Sequence, residues 1–147
     1  MDGIIKKISF LEPGETFIWI QIESNIIFYA EQMNSSVRFN ENESVTITRI
    51  SICGEITPSR HNKINWEVSN SDVIPKLEFV TGKIIEFKPP NKVYILMGME
   101  IEVYDREIVS TLKSQNKKIG DWITARCLAP PHVQIMKKED NLGEIVI

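Results

Sequence analysis

In Thr16-Phe17-Ile18-Trp19-Ile20-Gln21-Ile22-Glu23, isoleucine stands at 18, 20 and 22, with Phe17, Trp19 and Gln21 between. Successive side chains of a β-strand point to opposite faces, so a period of two predicts a strand with its isoleucines toward a core. Phe17 and Trp19 are then left on the outer face. The next run, Ile26-Ile27-Phe28-Tyr29-Ala30, read in the same way, turns Ile26 and Phe28 inward and Ile27 and Tyr29 outward. Three aromatic side chains, Phe17, Trp19 and Tyr29, are therefore expected on one outer surface.

The same alternation recurs outward from this stretch. It predicts strands at 3–10, 17–22, 26–30, 45–52, 80–87, 92–97, 100–104 and 122–128. Between them lie turn-forming residues: Glu12-Pro13-Gly14, Glu23-Ser24-Asn25, Lys88-Pro89-Pro90-Asn91 and Met97-Gly98-Met99. One short helix is expected at 105–114, with Asp105 as its N-cap.

Set side by side, the two halves of the chain match in order. Gly3-Ile4-Ile5-Lys6-Lys7-Ile8 resembles Gly82-Lys83-Ile84-Ile85-Glu86-Phe87, and Phe17-Ile18-Trp19-Ile20 resembles Lys92-Val93-Tyr94-Ile95. Asn25 to Tyr29 then faces Glu100 to Tyr104, and Asn42 to Thr46 faces Gly120 to Thr124. This predicts an all-β protein of two tandem five-stranded OB or cold-shock-like barrels, 1–56 and 79–147, joined by a linker at 57–78 in which Trp66 is an anchored aromatic. A single β-sandwich whose repeat is coincidental is the alternative.

Composition bounds the function. The 147 residues are 42% hydrophobic and 25% charged, as in ordinary globular proteins. The start, Met1-Asp2-Gly3-Ile4-Ile5-Lys6-Lys7, lacks a signal-peptide layout and no run suits a membrane helix, so an intracellular location, cytoplasmic or nuclear, is expected. Residues 1–56 hold four basic and eight acidic side chains and residues 57–147 hold thirteen and twelve, which argues against a general nucleic-acid coat protein. Cys53, Cys127, His61 and His132 are too scattered for a metal site, and the cysteines read as free core thiols. The sequons Asn34-Ser35-Ser36 and Asn42-Glu43-Ser44 carry no weight without a secretory signal.

No nucleophile elbow, Walker loop, dinucleotide fingerprint or His-Glu-x-x-His occurs, so no enzyme, no cofactor and no small-molecule substrate are expected. The candidate binding residues are the outward aromatics Phe17, Trp19 and Tyr29, with Tyr94 and Tyr104 at matching positions of the second copy. Aromatics on adjacent barrel strands stack unpaired bases, and they equally fill a protein partner's groove. A candidate basic patch is Lys113, Lys117, Lys118 and Arg126.

Gly14-Glu15-Thr16-Phe17-Ile18-Trp19-Ile20 and Ile26-Ile27-Phe28-Tyr29-Ala30 resemble the two RNA-binding motifs of cold-shock domains, although the lysine and second glycine of the first motif are missing and Tyr29 replaces the histidine of the second. With the Gly-x-Ile/Val openings at Gly3 and Gly82, Asn65-Trp66-Glu67, and Lys118-Ile119-Gly120-Asp121-Trp122, the chain resembles the degenerate tandem cold-shock-like repeats in the amino-terminal region of Armitage-type piRNA helicases and of a related cancer/testis antigen. That resemblance implies an accessory module of RNA-silencing assembly, without helicase chemistry. The expected function is thus a non-catalytic adaptor that docks protein partners in a nucleic-acid-handling, piRNA-like complex. The alternative is a direct single-stranded RNA or DNA binder, such as an RNA chaperone or a telomere-end OB protein.

Overall fold

The computed structural model describes residues 1–12, 15–34, 36–69 and 73–138. The turn expected at Pro13-Gly14, the middle of the expected linker, one residue of the first sequon and residues 139–147 lie outside them. Among the described residues the fold is mostly β, with ten strands in one continuous sheet and one short helix. No helix there is long and apolar enough to cross a membrane.

The strands are β1 (Asp2–Glu12), β2 (Glu15–Ile22), β3 (Ile26–Gln32), β4 (Ser44–Thr57), β5 (Asn65–Ser69), β6 (Lys76–Lys88), β7 (Lys92–Leu96), β8 (Glu100–Tyr104), β9 (Trp122–Cys127) and β10 (His132–Lys137). All eight expected strands are present, and β5 and β10 are additional. The helix α1 runs Ile108–Ser114 and its N-cap is Glu107, so Asp105 does not cap it as expected. Asp105 instead accepts the Ile108 N–H through its backbone carbonyl, closing a turn before the helix.

The pairings close on themselves twice. β1 pairs with β2, β2 with β3, β3 with β10 in parallel, β10 with β4 and β4 with β1. Likewise β6 pairs with β7, β7 with β8, β8 with β4 in parallel, β4 with β9 and β9 with β6. Both rings use the same fourteen-residue strand. The first part of β4 serves one ring, and Ser51–Thr57 serves the other. β5 lies outside both rings, paired with β6.

The cores follow the alternation. Ile5, Ile18, Ile20, Phe28, Ala30, Val45, Ile47, Val133 and Ile135 are buried inside the first ring, and Val80, Ile84, Val93, Ile95, Ile101, Val103, Ile123 and Ala125 inside the second. A register shift at Ile5/Lys7 turns Lys7 outward opposite Trp19, and one at Ile84/Glu86 sets Glu86 opposite Tyr94. Without the first bulge, strict alternation would put Lys7 on the face of Ile5.

Gly82 sits where strand β6 leaves no room for a side chain. A Cβ there would stand 2.7 Å from the Leu96 carbonyl oxygen and 2.8 Å from the Met97 Cγ. Gly82→Ala is therefore expected to cost about 1–3 kcal/mol by overpacking. A urea melt of the variant against the parent measures it, and an unchanged midpoint would show that the backbones move apart freely.

Candidate binding face and groove

Registered partners in a sheet carry their side chains on the same face. Reading across the sheet, Ser9 lies opposite Phe17, Phe17 opposite Glu31, Glu31 opposite His132, His132 opposite Ser51, Ser51 opposite Glu102 and Glu102 opposite Tyr94. A second row holds Lys7, Trp19 and Tyr29, and a third holds Lys92, Tyr104 and Cys53. All five candidate aromatics thus share one outer face. They form two groups, because β10 and β4 stand between β3 and β8; at about 4.8 Å per strand, Phe17 and Tyr94 are about 24 Å apart along the sheet.

In the first group the Phe17 and Tyr29 rings stack with centroids 5.1 Å apart and planes 6° apart. The Lys7 ammonium lies 4.6 Å from the Trp19 ring centroid, a cation–π contact. These rings are half-buried, neither sealed in a core nor fully in water. Burial and the neighbouring Glu31 push the Tyr29 phenol up, so it stays a neutral hydrogen-bonding group. Glu31 itself meets His132 Nε2 at 2.8 Å.

Beside this group lies a groove of about 570 Å³, lined by Trp19, Ile26, Ile27, Trp66, Val68 and Pro75 among others, with no charged side chain in its lining among the described residues. Its far wall is β5. Trp66 stacks on the buried Phe28 at 5.8 Å, and Pro75 accepts the Tyr29 backbone N–H through its carbonyl at 2.8 Å. The expected linker therefore contributes a wall of the groove: Trp66 is anchored, as expected, and Val68, Val73 and Pro75 extend the apolar surface beside it.

The second group is organised by a carboxylate. Glu102 is buried and accepts from Ser51 Oγ, from Arg49 Nη2 at 3.2 Å and from the Tyr94 hydroxyl at 3.2 Å, with Lys92 Nζ at 3.4 Å. Burial works against the charged carboxylate, but Ser51, Arg49 and Lys92 outweigh it and hold the carboxyl below the ordinary glutamate range. Burial and Glu102 push the Tyr94 phenol up, and burial with Cys53 does the same for Tyr104. Lys88 stands 5.2 Å from the Tyr94 ring centroid.

Arg49 and Lys88 join Lys92 as cations beside Tyr94 and Tyr104; sequence reasoning places Lys92 outward with the two tyrosines but misses Arg49 and Lys88. The signal for Lys88 was present, since it flanks the Pro-Pro turn and is thus returned to opposite Lys92 on a hairpin. The expected basic residues lie elsewhere and are not all together. Arg126 is tied to Glu55, its Nε donating at 2.7 Å, while Lys117 donates to the Trp122 carbonyl at 3.4 Å, and Lys113 and Lys118 are exposed.

Both cysteines are free thiols. Burial, then the nearby Cys53, push the Cys127 thiol up to about 12, so it is not a nucleophile at neutral pH. The arrangement presents flat rings, an apolar groove and carboxylates, Glu31 and Glu102, that already have partners. Compared with protein-family models, with curated proteins and with solved structures, the chain finds no match among any of the three.

Proposed function

We propose that the chain is a non-catalytic adaptor that docks a protein partner in the groove between Trp19 and Trp66, within a nucleic-acid-handling complex of the RNA-silencing kind. The observation that carries this reading is the groove's lining, which among the described residues has aromatic and aliphatic walls and no cation of its own, Lys7 lying over the Trp19 ring beside it. A phosphodiester would be desolvated there without compensation, whereas an apolar protein segment would not. On the neighbouring face, Arg49, Lys92 and His132 are already paired with Glu102 and Glu31.

On this reading each ring is an OB-type barrel. Support comes from the strand order, in which the third strand of each set is closed by a parallel partner and the first pairs with both the second and the fourth. The local bonds repeat as well. Ile5 N–H donates to the Glu43 carbonyl and Asn42 N–H to the Ile5 carbonyl, while Ile84 N–H donates to Asp121 and Gly120 N–H to Ile84. Asn42 and Gly120 both adopt left-handed backbone, with φ of 68° and 94°. These matches favour the tandem cold-shock-like resemblance, with the closing strands exchanged between the two units.

A specific observation also favours the second reading, direct binding of single-stranded RNA or DNA. The Phe17–Tyr29 stack and the Lys7–Trp19 pair lie on the strands on which OB folds stack bases. One pair of variants separates the two. Val73→Glu puts a charge on the groove rim at a residue 89% exposed, so it leaves the fold intact. Phe17→Ala removes half of the stack. The adaptor reading expects a defined partner protein whose affinity falls at least tenfold with Val73→Glu and changes little with Phe17→Ala. Micromolar, salt-sensitive binding of labelled single strands, lost with Phe17→Ala and kept with Val73→Glu, would replace it with the second reading.

A further inference from the structure

We propose that a separate pocket beside the end of α1 binds a nucleoside phosphate, free or at the end of a strand, with Trp122 taking the base and lysines the phosphate. This pocket, about 340 Å³, is lined by Ile56, Thr57, Ser59, Gln115, Lys117 and Trp122 among others. Its size lies at the lower end of the range for small-ligand sites, about 300–1,000 Å³. It shares no residue with the Trp19–Trp66 groove. It is built on the second ring, from β4, β9 and the segment that follows α1.

Two ammonium groups lie near Trp122, one at its ring and one at its main-chain carbonyl. Lys83, registered opposite Trp122, places its Nζ 5.3 Å from the ring centroid, and Lys117 Nζ is held 3.4 Å from the Trp122 carbonyl oxygen. Lys113, in the last turn of α1, and Lys118, in the turn before β9, add two more positive charges on the same short segment. Among the described residues none of these four lysines makes an ion pair, whereas Arg49, Arg60, Lys92, Arg126, Lys137 and Lys138 all do. The nearby Asp121 carboxylate accepts the Lys118 backbone N–H at 2.7 Å. Lys117 thus brings an unpaired ammonium to the pocket lining and Lys83 brings one to the indole, with two further cations close by in the chain.

The lining sets the chemical class. A simple anion would use the lysines and leave the indole and the Ile56 wall wet, and an apolar group would leave the lysines unused. A base carrying a phosphate satisfies both, by stacking and by charge-assisted hydrogen bonds. Gln115, whose side-chain amide makes no hydrogen bond among the described residues, has a donor and an acceptor free for a base edge.

The test follows the Trp122 indole N–H in ¹H–¹⁵N spectra of the full chain, assigned with Trp122→Phe. Titration with AMP is expected to shift that signal saturably, with adenosine at least tenfold weaker. Lys117→Gln is expected to weaken AMP about tenfold with the rest of the spectrum unchanged, the loss expected for a hydrogen bond to a charged group at a half-exposed site. Displacement of AMP by a 5′-phosphorylated oligonucleotide, and not by its 5′-hydroxyl form, assigns the ligand to a strand end; no displacement by either assigns it to a free nucleotide. An indole signal that does not saturate with AMP overturns the proposal. So does a shift that inorganic phosphate or an acidic peptide reproduces at the same concentration.

Discussion

Residues 1–72 and residues 73–147, produced as separate polypeptides, are each expected to stay unfolded and to recover the native spectrum only when mixed. The first piece lacks β10, which lies between β3 and β4 and closes its ring. That strand contributes the fully buried Val133 and Ile135, at about 1.5–3 kcal/mol each, and six registered pairs with β4 whose hydrogen bonds add about 1 kcal/mol each. Asn34 further clamps it, its side-chain amide donating to the Ile135 carbonyl at 2.6 Å. The loss is comparable with the whole stability of a domain this size, about 5–15 kcal/mol. The second piece lacks Ser51–Thr57, the strand between β8 and β9, and with it the buried Ile52. Amide dispersion in NMR and the cooperativity of melting measure both pieces. A sharp melt from either alone would mean that each ring closes without the other's segment.

The second large effect is expected at Glu102. Glu102→Ala leaves the buried Ser51 hydroxyl without its acceptor and removes the anion between Arg49 and Lys92. Those two cations are 47% and 39% exposed and rehydrate, so the cost falls mainly on the buried hydrogen bonds and the space vacated. About 2–3 kcal/mol is expected, a fall in Tm of about 5–10 °C for a chain of this length. The pH dependence has a definite sign. Because the folded carboxyl titrates below the ordinary 4.5, the unfolded chain takes up the proton more readily. The stabilisation is complete above about 4.5 and is lost as pH falls through the lower folded value. Parent and variant should therefore differ most at pH 7 and less in acid, where only the part due to lost packing remains. Urea midpoints for both, taken from pH 7 to pH 3, check this, and a constant difference over that range would mean that the carboxylate charge contributes nothing.

Most strands were legible because alternation reports which face a residue occupies, and burial obeys it: Ile18, Ile20 and Phe28 are all fully buried. What alternation does not report is the identity of the neighbouring strand. The registers that bring Ser51 beside both His132 and Glu102 depend on segments fifty to eighty residues away, and nothing local in Ser51-Ile52-Cys53 announces them. β5 was read as linker because Asn, Trp, Glu and Ser make a poor strand pattern; its place comes from β6 and from Trp66 on Phe28. β10 follows Pro130-Pro131, a stop signal, and only Val133 and Ile135 alternate within it. The candidate face was legible as two separate aromatic groups. The groove beside it was not, since its walls come from Trp19 and from a segment that carries no periodicity. The basic residues illustrate the same limit. Charge counts placed Lys113, Lys117, Lys118 and Arg126 near one another in sequence, but Glu55 from another strand takes Arg126 out of the set.

The closing strand of the first ring has a consequence for biosynthesis. A ribosome adding about 5–20 residues per second delivers β10 about 4–16 s after β4 has been made. For that interval Ile18, Ile20, Phe28 and Ile47 face an open seam beside β3, an adhesive edge. Nascent chains of this protein should therefore lean on chaperones early and be released from them only as β10 emerges.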